Sequence, residues 1–186
     1  MMRELADHVL DIAQNSISAG AHLVTILVTC DVKSDLLSLT FTDDGCGMTP
    51  EFVKTVTDPF TTTRTTRKVG LGLPMLLQAA AMSGGQMRIE SEPGKGTRVF
   101  ASFGLNHLDR PPMGDLAGTL FTLVFLNETV DFLFVLVCDG GRYEFDTREI
   151  RQAVEPLALN NPEVAGWIRG HLAESTQTLF GGVTVL

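Results

Sequence analysis

Cysteine is scarce in this chain: Cys30, Cys46 and Cys138 are the only three. An odd number cannot close a disulfide framework, and the spacing matches neither a zinc nor a four-cysteine iron–sulfur pattern. The thiols read as fillers in a reduced compartment. Basic residues are also few, 14 Lys and Arg against 22 Asp and Glu, for a net charge of -8. That balance excludes wholesale coating of nucleic acid and leaves room for a local basic patch. No signal core follows the N-terminus, because Glu4, Asp7, His8 and Asp11 interrupt it. No long hydrophobic run suits a bilayer either. The longest stretch, 116–138, contains Thr119, Thr122, Asn127, Glu128 and Asp131, which places charge at its centre. It reads as two strands and a turn. What remains is a soluble, cytoplasmic chain of 186 residues, 44% of them hydrophobic. That is enough for one cored domain, or one domain with a small companion.

Periodicity predicts the elements. Residues 4–19 carry Leu5, His8, Val9, Ile12 and Ser16 at helical spacing, and Gly20 suits a C′ position. Strands are expected over 23–30 and 37–41, joined by a turn at 31–35. A short helix is expected over 50–57, with Thr49 as N-cap and Pro50 at the first position. Residues 58–69 lack a period and hold five threonines and three basic residues, the pattern of a binding loop or lid. A helix at 74–82 and strands at 86–92 and 97–103 follow. Pro111 and Pro112 mark a boundary, which divides the chain into units 1–105 and 106–186. Beyond it, strands are expected at 119–126, 132–138 and 143–145, and helices at 147–157 and 162–178, the last capped by Asn161. The order predicts an α+β fold, a mixed sheet with helices layered on it. The apolar runs 124–126 and 132–137 are expected either to pack on the first sheet or to form a dimer or partner surface.

Four groups of residues point to chemistry. Asp11 and Asn15 lie one turn apart on a helix face. The carboxylate can orient and deprotonate water, and the amide oxygen can complete a Mg²⁺ shell; an ordinary solvated face has the same spacing. Asp43-Asp44-Gly45-Cys46-Gly47 follows a strand, so Asp43 can accept a hydrogen bond from an exocyclic amine while the glycines turn the chain. A plain turn has that composition too. Arg64, Arg67 and Lys68 precede Gly70-Leu71-Gly72-Leu73 and a helix start, a seat for phosphate. Neither a P-loop nor a dinucleotide fingerprint is present. Last, Gly94-Lys95-Gly96-Thr97 makes a hairpin turn whose Thr97 hydroxyl can reach a ligand held by Asp43.

In this order the four groups resemble the Bergerat-fold ATP-binding domain shared by DNA gyrase B, Hsp90, sensor histidine kinases and MutL. The resemblance covers residues 1 to about 105. It implies a two-layer α/β sandwich that binds ATP and Mg²⁺. Gln14 to Ala21 looks like the N box, with Asn15 as the metal ligand. Asp11 stands where the family usually has a catalytic Glu. Asp43, Gly45, Gly47 and Met48 fall on the G1 box, with Asp43 on the adenine amino group. Residues 58–63 look like the F-box region before the lid. Arg67 or Lys68 would touch the γ-phosphate, Gly70, Leu71, Gly72 and Leu73 match the G2 box, and Thr97 lies near adenine. His8 reads as an ordinary helix residue.

A phosphoacceptor domain ahead of the N box is not expected, and the last 80 or so residues do not read like the second domain of MutL or gyrase B. Residues 2–5, 58–72, 109–115 and 159–164 look like phrases of small stand-alone ATP-binding proteins of anaerobic bacteria, often encoded beside iron-only hydrogenase or NADH-oxidising subunits. This implies a protein partner, from a hydrogenase or redox system, and allows a homodimer, with no nucleic acid or membrane involved. Three activities stay open: ATP hydrolysis as a conformational switch, phosphorylation of a Ser or Thr as in anti-sigma kinases, and nucleotide binding alone.

Overall fold

The computed structural model describes residues 2–56 and 71–181. Helix α1 (Leu5–Ser18) buries Leu5, Val9, Ile12 and Ser16, the residues that recur every three or four positions. It stops at Ala19, and Gly20 follows with φ of 79°, as the sequence predicts. Strands β1 (Leu23–Asp31) and β2 (Leu36–Asp43) pair antiparallel, with Val24 opposite Asp43. Along β1 the side chains of Val24, Ile26, Val28 and Cys30 are buried and their neighbours are not, the period of a sheet covered on one face. Helix α2 (Pro50–Val56) begins after Thr49, whose Oγ1 accepts the Phe52 N–H at 3.3 Å. Helix α3 (Gly72–Met82) leads into the hairpin β3 (Met87–Glu92) and β4 (Gly96–Gly104).

Residues 116–126 correct one expectation. They form a helix, α4 (Leu116–Leu126), rather than the predicted strand. The segment is apolar on every side because α4 lies between α1 and a later helix, α6 (Pro162–Phe180). The positions it leaves open, among them Gly118, Thr122 and Phe125, carry no charged residue, so the sequence lacks the polar stripe that would reveal a 3.6-residue period. Its start is nonetheless marked: the Asp115 carboxylate accepts the Gly118 N–H at 2.8 Å. The chain then forms β5 (Asp131–Cys138), β6 (Gly141–Asp146) and α5 (Thr147–Val154). Asn161 caps α6 through the Glu163 N–H at 3.0 Å, as expected.

All strands join one mixed sheet, in the order β3-β4-β2-β1-β5-β6. Among the described residues only the β1–β5 pairing is parallel. The architecture is α+β: helices α1, α3, α4 and α6 pack against the sheet over a shared core that includes Phe41, Leu76, Phe103, Leu120, Phe134 and Leu172. Positions on the opposite side of the strands include Thr25, Thr42, Arg98 and Glu144. The apolar run 132–137 is therefore largely buried in β5, an interior strand of the sheet, whereas Phe125 and Leu126 of the run 124–126 are exposed. Among the described residues no helix is long and apolar enough to cross a membrane.

Candidate functional site

Two ends of a site are built on α1 and the strand ends beside it. At one end, Asp43 closes β2 on the helix-covered face. Its Oδ2 accepts the Ser16 hydroxyl at 2.7 Å and its Oδ1 accepts the Gly45 N–H at 3.0 Å. These two bonds fix the carboxylate plane, and each oxygen retains a lone pair for a further donor. Directly across the β2–β4 ladder from Asp43 stands Thr97. Its hydroxyl lies 2.9 Å from Ser91 Oγ, which also accepts the Met48 N–H at 2.8 Å.

The loop after Asp43 is anchored on both sides. The Cys46 N–H donates to the Ala19 carbonyl at 2.9 Å, and the Cys46 carbonyl accepts the Gly94 N–H at 2.8 Å. Gly47 has φ of +65°, and a Cβ there would lie 2.0 Å from the Glu92 carbonyl oxygen. Only glycine satisfies both conditions. Asp44 points away and clamps the start of β1, accepting the His22 and Leu23 N–H groups at 2.7 and 2.9 Å. Burial opposes its charge, yet these donors hold its carboxyl below the usual carboxylate range.

At the other end, Asp11 and Asn15 share a face of α1, with Asn15 Nδ2 3.5 Å from Asp11 Oδ2. Gly72, the first residue of α3, is packed against this pair: a Cβ there would fall 1.6 Å from Asp11 Oδ2. The carboxylate thus meets the start of α3 with no room for any side chain between. Leu71 precedes the helix without a side-chain cap and is exposed, while Leu73 is buried. The first N–H groups of α3 have no partner within the helix. Among the described residues no group of three or more His, Cys, Asp or Glu is placed to hold a metal ion.

His8, one turn before Asp11, is 2% exposed and its Nδ1 has no partner. Burial draws its pKa below the ordinary histidine value, against the attraction of Asp7 and Asp11. An open groove of about 600 Å³ borders Asp43 and Thr97 together with Ile89, Ser91, Pro50 and Val53 of β3 and α2. Neither Asp11, Asn15 nor Gly72 lines it. Arg67, Lys68 and Gly70, and the lid at 58–69, lie outside the described residues.

The structure therefore brings Asp43 beside Thr97, and Asp11 beside Asn15 and Gly72. Gly45, Gly47 and Met48 form the loop after Asp43, whose contacts with Ala19, Ser91, Glu92 and Gly94 all lie at the Asp43 end. Sequence reasoning missed Ser16 and Ser91 as site residues. Ser16 was legible as the polar residue on the buried stripe of α1, and Ser91 from its pairing with Thr97 across the second hairpin.

Comparison with known proteins bears on the family and the fold. A protein of Shewanella frigidimarina named as a sensor protein is 31% identical over 109 residues, covering 58% of this chain and 17% of its own. Sensor protein kinase FleS of Pseudomonas aeruginosa is 36% identical over 93 residues, covering 50% of this chain and 23% of its own. This chain thus spans less than a quarter of the length of either relative. A solved structure described as the N terminal domain of a DNA repair protein superposes with a TM-score of 0.54 at 14% identity, over 96% of this chain and 57% of that one, a likeness of fold. The profile of the histidine kinase-, DNA gyrase B-, and HSP90-like ATPases matches residues 1–107 of the 186. This chain belongs to that ATPase family.

Proposed function

We propose that the chain binds Mg-ATP between the Asp43–Thr97 end and the Asp11–Asn15 end, and hydrolyses it as a conformational switch. The contact of Asp11 with Gly72 carries this reading. It sets a carboxylate against a helix start, whose first N–H groups have no partner within the helix and where a phosphate chain is favoured. Asp43, with its carboxylate fixed by Ser16 and Gly45, is oriented to accept the adenine amino group. Thr97 lies beside it on the neighbouring strand. Gly45, Gly47 and Met48 let the backbone pass close to the base. Asn15 would hold Mg²⁺ through its side-chain oxygen. When bound, the ion offsets the charge of the phosphates.

Asp11 then takes a proton from the attacking water. Its side chain is one methylene shorter than the usual Glu, so water must approach closer to α1. Arg67, Lys68, Gly70, Leu71, Gly72 and Leu73 complete the proposed phosphate seat. Residues 1–105 make up the proposed ATP-binding unit and 106–186 an α/β extension, which in the fold supplies β5 and β6 to the same sheet.

The test pairs two substitutions. Asp43→Ala removes the acceptor proposed for the adenine amino group and should abolish ATP binding by calorimetry; unchanged affinity would sink the site assignment. Asp11→Asn should leave binding within a few-fold and stop turnover. Radiolabelled ATP separates the activities: phosphate released from the chain alone supports hydrolysis, and label on a co-purified protein makes the chain a kinase. Neither outcome, with ATP still bound, leaves a nucleotide-binding module.

A further inference from the structure

Cys30 and Cys138 stand directly opposite one another in the parallel β1–β5 ladder. One-to-one register puts both side chains on the same face of the sheet. They are 1% and 6% exposed. Neighbouring strands run about 4.8 Å apart, inside the Cα separation of about 4.4–6.8 Å that a disulfide spans. The pair lies just inside the rim. Cys138 is the last residue of β5, and only Asp31 of β1 follows Cys30. Beyond them the chain turns at exposed residues, Asp139 and Gly140 on one side and Val32 on the other. These turns are tied together: the Asp139 N–H donates to the Cys30 carbonyl at 3.2 Å, and the Asp139 carboxylate accepts the Val32 N–H at 3.0 Å. The ladder and this clasp hold the two thiols side by side. Cys46 is exposed in the loop after β2 and is not part of the ladder.

We propose that Cys30 and Cys138 form a dithiol site that exchanges with low-molecular-weight disulfides such as oxidised glutathione, and that the resulting bond staples β1 to the strand supplied by the C-terminal extension. Cys138, the more accessible of the two, attacks first as its thiolate. The S–S bond of the small disulfide breaks, one small thiolate leaves, and a mixed disulfide remains on Cys138. Cys30 then gives its proton to solvent and attacks the Cys138 sulfur, expelling the second small thiol. Two protein thiols are oxidised and one small disulfide is reduced to two thiols. Burial, reinforced by a hydrogen bond to Cys138, pushes the Cys30 thiol up to about 12, while the Arg110 guanidinium pulls the other way. The second step is therefore the slow one, since the thiolate is the attacking species. Closure joins residues far apart in the chain, so the oxidised form should unfold at higher temperature.

The experiment exposes the folded full chain to excess oxidised glutathione at mildly alkaline pH. Acid quenching, denaturation, alkylation with N-ethylmaleimide and peptide mapping follow. The expected product carries the reagent, or a glutathione, on Cys46 alone and yields a linked Cys30–Cys138 peptide that dithiothreitol separates. In Cys30→Ser, one glutathione should remain trapped on Cys138. Alkylation of both Cys30 and Cys138 after prolonged exposure, no mixed disulfide in the variant, or links between chains only would each overturn the proposal.

Discussion

Gly72 shows how a single missing side chain decides the geometry of the proposed catalytic end. A methyl group there would overlap Asp11 Oδ2, which is the far end of a side chain and can swing aside. Alanine also favours helix over glycine by up to about 1 kcal/mol, so Gly72→Ala should alter the melting temperature little. It should nonetheless cut ATP turnover at least tenfold while leaving affinity within a few-fold, because Asp43 is untouched. A variant with full turnover, measured by phosphate release, would remove Asp11 from the reaction. The sequence carried Asp11, Asn15, Asp43, Gly72 and Thr97 as candidates because each sits at a fixed offset from a glycine turn or along one helix face. It could not carry the Ser16–Asp43 bond at 2.7 Å, which joins residues 27 apart in sequence. A buried serine on a core stripe announces that it needs a partner, not which one.

At the scale of an element, α1 does two things at once. One side enters the core through Leu5, Val9 and Ile12, and the face bearing Asp11 and Asn15 meets α3. His8 lies between the two and is buried without a partner for Nδ1. Its pKa is lowered by burial, so the folded protein holds it neutral where the unfolded chain would already be protonated. The stability it lends is present above the unfolded value of about 6.5 and is lost as pH falls through the lower, folded value. The slope between the two is at most about 1.4 kcal/mol per pH unit. His8→Gln should flatten the fall in melting temperature between neutral and mildly acid pH; an unchanged profile would mean that other groups set it. Helix α4 shows the limit of reading elements from sequence. Its open side, with Gly118, Thr122 and Phe125, carries no charge to set against the buried side, and only the Asp115 cap gave notice of it.

The molecule as a whole is a single sheet that the sequence boundary does not divide. The proline pair at 111–112 lies between β4 and α4, yet the next strand in the chain, β5, returns to lie beside β1 in the middle of the sheet. Parallel pairing of distant segments leaves no local trace in composition, which is why the sequence marked a boundary at the prolines but not the place of β5 beside β1. The pairing runs from Leu23 opposite Asp131 to Cys30 opposite Cys138. Phe134, fully buried, stacks on Phe145 at 5.9 Å and stands opposite Ile26. The proposed ATP-binding unit therefore draws part of its core from the extension. A fragment of residues 1–107 would expose the β1 edge and the α1 surface that α4 covers, and it should aggregate or lack a cooperative melt by circular dichroism. In the full chain, Phe134→Ala should cost about 3–5 kcal/mol and lower the melting temperature without altering which residues contact nucleotide. Saturating ATP should recover part of that loss, about 2.7 kcal/mol at a hundredfold excess over its dissociation constant. A fragment that melts cooperatively and binds ATP as tightly as the full chain would show that the first unit folds alone. The extension would then be an addition to the sheet on which the site does not depend.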